Sequence, residues 1–197
     1  ADRSDLDGLA FGLRHLRKAV ELDPDFADAW VDIADLHLKL GRLGVLASDD
    51  AIAQAEAPLE RALAIDPEHP RALVSLTNLR SWQWRWGEAA EAVRRFDALQ
   101  ARGDQGRFTG SIDAYFLAQG QIGEALRRTQ VWLENDPLSA TARLLVAFEL
   151  YQLRDLRAAL EQCEAALELN PDMQELLLLA GSIHAERGDV RGATRAF

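Results

Sequence analysis

The stretch ALELNPDM, residues 166–173, closes an apolar helical pattern on an amide followed by proline, and the chain makes this kind of ending four times. The other three are AVELDPDF at 19–26, ALAIDPEH at 62–69 and WLENDPLS at 132–139. Their prolines act as a ruler. Pro137 and Pro171 are 34 residues apart, Pro67 and Pro137 are 70 apart, and Pro24 and Pro67 are 43 apart. In units of 34 these are one period, two periods plus two residues, and one period plus nine. Two amphipathic helices with a short turn fill such a period, so the spacing predicts an all-α stack of antiparallel helical hairpins with two insertions.

Giving each of these prolines position 32 puts small residues where helices must cross closely. Position 8 holds Ala34, Ala147 and Gly181, and position 20 holds Ala55, Ala89, Ala125, Ala159 and Ala193. Side chains of this size let the ridges of one helix sit deep in the grooves of the next, where a Leu would hold the axes apart. Position 24 carries Leu16, Leu59, Val93, Cys163 and Phe197, with Thr129 as the exception. The Asp or Asn before each proline is expected to end one helix and cap the next, and proline suits a first turn because its missing N–H has no partner there. The expected division is a partial hairpin over 5–23 and hairpins over 27–66, 70–101, 106–136, 140–170 and 174–197, all within one solenoid spanning 1–197.

The nine extra residues fall in GRLGVLASDD, residues 41–50. This reads as a loop whose Ser48, Asp49 and Asp50 deliver an N-cap to a new helix. Pro58 stands inside that helix and predicts a kink or a break, because its ring clashes with the preceding turn. ARGDQGRF, residues 101–108, replaces the Asp-Pro corner and is expected to be a hinge.

These positions resemble the tetratricopeptide repeat (TPR) family across almost the whole chain, best in ALEQCEAALELNP and LLLLAGSIHAERGDVRGA. The resemblance implies a tetratricopeptide-type α-α superhelix, a solenoid whose concave groove is lined by the first helix of each hairpin and binds peptides or proteins. A weaker similarity, carried by APLERALAIDPEHPRAL and SWQWRWGEAAEAVRRF, is to the repeat region of bacterial signalling regulators that join such repeats to an adenylate-cyclase-type or winged-helix domain. That similarity implies a sensing or regulatory fragment. A self-associating structural scaffold is the other alternative, since Val20, Leu22, Leu177 and Phe197 sit in the terminal hairpins.

Composition narrows the partner. With 32 acidic against 22 basic residues and a net charge of -10, the surface opposes direct nucleic-acid binding and favours a basic or neutral protein or peptide. A single cysteine, Cys163, excludes an intrachain disulfide and fits a reducing compartment. The start, ADRSDLDGLAFG, lacks the basic-then-apolar pattern of a leader, and no run approaches the roughly 18–20 apolar residues of a membrane span, so a cytoplasmic location is expected.

Chemistry is not expected. His37 and His184 fall at position 11, a packing position, while His15 and His69 lie on a helix and a corner. There is no HExxH, cysteine pair or Gly-rich phosphate loop, GQIG at 120–123 reads as a turn between helices, and Cys163 sits at a packing site. No catalytic residue, metal or cofactor is therefore assigned.

The family resemblance places the groove at positions 2, 5, 9, 12 and 13. From these come Asp35, Arg71, Asn78 and Trp82 early in the chain and Phe148, Tyr151 and Gln152 late, with Arg107 and Gly110 between them. Arg71 and Asn78 can hydrogen-bond an extended backbone, and the aromatics can anchor a partner. Chaperone-binding members clamp a C-terminal carboxylate with Lys and Asn, a mode that Asp35 opposes by like charge. In SWQWRWG, residues 81–87, three Trp spaced by two cannot share one helix face. Trp86 is expected in the core, and Trp84, in place of a turn glycine, is expected to be exposed, where it can stack on Arg85 or on a partner, the alternative being a packing corner.

Overall fold

In the computed structural model, residues 3–102 and 112–196 are described. The expected hinge falls outside them from residue 103 onward, as do Arg107, Gly110 and Phe197. The described residues form helices α1 (Arg3–Leu22), α2 (Ala27–Arg42), α3 (Ser48–Ile65), α4 (Pro70–Trp82), α5 (Trp86–Ala101), α6 (Asp113–Ala118), α7 (Ile122–Asn135), α8 (Ala140–Gln152), α9 (Leu156–Leu169), α10 (Gln174–Glu186) and α11 (Val190–Ala196). The fold is an all-α solenoid of paired antiparallel helices, divided into two compact units, Ala1–Phe108 and Thr109–Phe197. No helix among the described residues is long and apolar enough to cross a membrane.

Small residues sit at the crossings. In the first unit Ala34 of α2 and Ala55 of α3 are fully buried, enclosed by Val31, Leu38, Leu59, Ala62, Ala72 and Leu79. In the second, Ala147 and Ala159 are buried between α8 and α9, with Cys163, Leu176 and Ile183 completing the core. Burial pushes the Cys163 thiol up to about 12, so the thiolate is not formed at neutral pH.

Five turns share one geometry. Gly44, Trp84, Gly120, Arg154 and Gly188 each have φ between 58° and 73°. In all five the next N–H reaches back five residues, as Arg85 N does to Arg80 O at 2.8 Å and Asp155 N to Leu150 O at 3.0 Å. This is the helix ending in which a left-handed residue satisfies the last carbonyls. Glycine adopts it without strain, whereas Trp84 and Arg154 do not.

Three local expectations are corrected. The nine extra residues lengthen the helices more than the loop: α2 and α3 have 16 and 18 residues, against 13 and 14 in α8 and α9. The N-cap of α3 is Ala47, without a side-chain bond, and Asp49 and Asp50 lie in its first turn, where they favour the positive helix end. Pro58 does not break α3, which runs from Ser48 to Ile65 with Ala55 and Leu59 buried on either side of the proline. Finally, the corner aspartates bond within the turn: Asp23 accepts from Asp25 N at 3.1 Å and Asp66 from Glu68 N at 3.0 Å. His69 and Ser139 cap the following helices, through Ala72 N at 3.3 Å and Ala142 N at 3.2 Å.

Candidate functional site

On α2, α4, α8 and α10 one stripe is partly open, with Ser75 the buried member of it on α4. On α2 it runs through Asp28, Asp32, Asp35 and Lys39, a spacing of four, three and four residues that traces one helix face. The equivalent stripe on α4 is Arg71, Ser75, Asn78 and Trp82. In repeat numbering these are positions 2, 6, 9 and 13. Position 5 faces inward in the first unit, where Val31 and Val74 are buried, and position 12 does too, at Leu38 and Ser81. Asp32 and Ser75 therefore belong to this face and were missed by the family positions; the four-three-four spacing was the signal that could have found them.

Charge organises the first unit's face. The Arg71 guanidinium lies 3.3 Å from Asp28 and 3.6 Å from Asp35, and also bonds Asp32. Ser75 donates its hydroxyl to Asp35 at 2.5 Å, and His69 Nε2 lies 3.2 Å from Asp28. Burial pushes the Asp35 carboxyl up, against the Ser75 hydrogen bond and the Arg71 charge that pull it down. Three carboxylates thus share one guanidinium. Asn78 is half-buried beside them in the stripe, and Trp82 is half-buried against the core formed by α2, α3 and α4.

The second unit presents a different face. The stripe on α8 passes through Thr141, Leu145, Phe148 and Gln152, and on α10 through Glu175, Leu179, Ser182 and Glu186. Phe148 is 36% exposed and Leu178, beside the α10 stripe, is 58% exposed. Tyr151 donates its hydroxyl to Glu186, and the Arg154 guanidinium pairs with the same carboxylate, tying the end of α8 to α10. The hydrogen bond from Tyr151, followed by that from Arg154, holds the Glu186 carboxyl below its ordinary value. Gln152 is exposed at the end of the stripe.

Trp84 stands apart from both stripes. It occupies the α4–α5 turn, 77% exposed, with its ring edge-on to Trp86 at 5.5 Å between centroids. Trp86, expected in the core, is half-buried. Beneath the turn Arg80 is buried, bonding Glu56 of α3, Gln83 at 2.6 Å and Glu88 of α5 at 3.1 Å. Among the described residues no group of three or more His, Cys, Asp or Glu side chains is placed to hold a metal ion.

The tetratricopeptide repeat family model matches residues 149–197. No curated protein matches the chain significantly. Among solved structures the chain is similar to YrrB, a TPR protein with an unusual peptide-binding site, with 20% identity and a TM-score of 0.53 over 92% of this chain and 88% of that one. It is also similar to PilF of Pseudomonas aeruginosa, with 20% identity and a TM-score of 0.63 over 92% and 78%. Human IFIT1, solved as a dimer with PPP-AAAA, gives 18% identity and a TM-score of 0.75 over 93% of this chain but only 43% of its own. At such identities the likeness establishes the fold. The family match covers residues 149–197 only, and the structural likeness places the whole chain in the TPR-type helical fold.

Proposed function

We propose that the chain is a non-catalytic scaffold that holds a peptide, or a segment of a partner protein, against the open stripes of its first-of-pair helices. The observation that carries this reading is the exposure of the large apolar side chains Phe148 and Leu178 on those helices. Large exposed apolar side chains lose most from solvation and gain most when covered by a partner. Asp35, Arg71, Asn78 and Trp82 would engage the partner in the first unit, and Phe148, Tyr151 and Gln152 in the second. The carboxylate excess around Arg71 favours a segment bearing a Lys or Arg. The peptide-binding site of YrrB is consistent with this use of the fold. Trp84 supports a second contact, since an exposed Trp held in a left-handed turn is costly unless a partner uses it.

Peptides selected from a random displayed library against the whole chain test the proposal. Binding should fall at least tenfold in W82A, F148A or Y151A with helical circular dichroism unchanged. Undiminished binding in all three would remove the groove assignment, and loss in W84A alone would move the site to the turn.

A further inference from the structure

One buried acid lies outside the open stripes and has no part in the binding proposal. Glu149 of α8 is wholly buried, and among the described residues no cation pairs with it. Its Oε1 lies 2.9 Å from Thr129 Oγ1 of α7, and Oε2 has no hydrogen-bond partner. Thr129 in turn stands 3.1 Å from the Ala125 carbonyl oxygen one turn back. The proton count decides the state of this chain of oxygens. A hydroxyl carries one hydrogen, so Thr129 cannot donate to both the carbonyl and an ionised carboxylate. If Glu149 is protonated, its O–H donates to Thr129 Oγ1 and the Thr129 hydroxyl donates to Ala125 O. Both short contacts are then hydrogen bonds.

The surroundings work in the same direction. Asp113 of α6, itself buried, is the charged group whose field reaches Glu149, and it opposes a second negative charge. On α7, Arg127 and Arg128 bond Glu124, and Arg128 also lies over the Phe116 ring at 4.5 Å. On α9, Arg157, Glu161, Glu164 and Glu168 are exposed; on α10, Glu175 and Glu186 are exposed and His184 pairs with Asp189 at 2.9 Å. Arg143 of α8 bonds Gln162 and the Pro137 carbonyl. Burial first, and the Asp113 charge after it, outweigh the Thr129 hydrogen bond and push the Glu149 carboxyl from 4.5 up to about 8.

We propose that Glu149 and Thr129 form a proton-dependent lock between the α6–α7 and α8–α9 hairpins of the second unit, closed when Glu149 is the neutral acid and released when it ionises. The inference is independent of the groove reading. Because the folded form holds the proton more tightly than the unfolded chain does, the lock's stabilisation is full below the ordinary carboxyl value and is lost as pH rises toward about 8. Glu149→Gln keeps an uncharged side chain of the same shape, with an N–H to donate to Thr129.

The test uses the full chain in urea at pH 6 and pH 9.5. The unfolding constant of the wild type relative to E149Q should rise about a hundredfold between the two, the linkage expected for one such group. A ratio that stays constant overturns the proposal. Carboxyl carbon NMR of the wild type provides a readout that does not need the variant to fold. A Glu149 resonance titrating near pH 8 supports the lock, and one titrating near 4.5 overturns it.

Discussion

Gly41 shows how much the packing depends on single side chains. A Cβ there would stand 2.6 Å from the Cβ of Ala51, which is fully buried on α3. Gly41→Ala should therefore push α2 and α3 apart and cost about 1–3 kcal/mol in urea denaturation. Gly8→Ala is the control, because a Cβ at Gly8 on α1 meets nothing within 4 Å. It should gain roughly 0.5–1 kcal/mol from helix propensity alone. At this scale the small residues were legible in the sequence, since recurrence at a fixed spacing marks a crossing whatever surrounds it. Trp84 was legible too, as a bulky residue where the turn calls for glycine, and it has φ 58°. Arg154 has the same conformation with φ 67° and passed unnoticed, because its neighbours in LRDL do not draw the eye to a turn as SWQWRWG does.

Between elements, Arg80 joins more structure than any groove residue in the first unit. Its guanidinium bonds Glu56 on α3 and Glu88 on α5 from the end of α4, while the side chain is almost wholly buried. The hydrogen bond and charge of Arg80 hold the Glu56 carboxyl below its ordinary value, against the opposing effect of burial. Arg80→Ala leaves those carboxylates facing one another and should lower stability by about 2–4 kcal/mol, with Arg80→Lys recovering only part, since an ammonium lacks the planar fork. Calorimetry of the three proteins checks the order. Nothing in the one-dimensional pattern revealed this residue, because its three partners come from different helices and the turn between them. The insertion at 41–50 shows the same limit: glycines and acids read as a loop, yet the apolar pattern on either side had room to extend both helices. Pro58 was read from its local clash as a kink or a break, and α3 continues through it from Ser48 to Ile65.

At the scale of the whole molecule, the period of 34 residues yields the solenoid, while the binding faces depend on register within each helix. The family positions placed Asp35, Arg71, Asn78 and Trp82 on a shared stripe but omitted position 6, so the three-carboxylate cradle around Arg71 emerged only with the side chains in place. The two units differ in character, one face organised by charge around Arg71 and the other mixed, with Phe148 and Leu178 exposed among polar side chains, which a net charge of -10 does not foretell. Binding to the first unit should accordingly weaken as salt rises from about 0.05 to 0.5 M, while binding to the second should hold. The most direct measurement is amide and side-chain chemical-shift mapping of the full chain as a selected peptide is added. The account predicts that the largest shifts fall on the stripes and the residue beside them, at Asp35, Asn78 and Trp82 or at Phe148, Ser182 and the adjacent Tyr151. Shifts confined to the second helices of the pairs, α3, α5, α7 and α9, would contradict it.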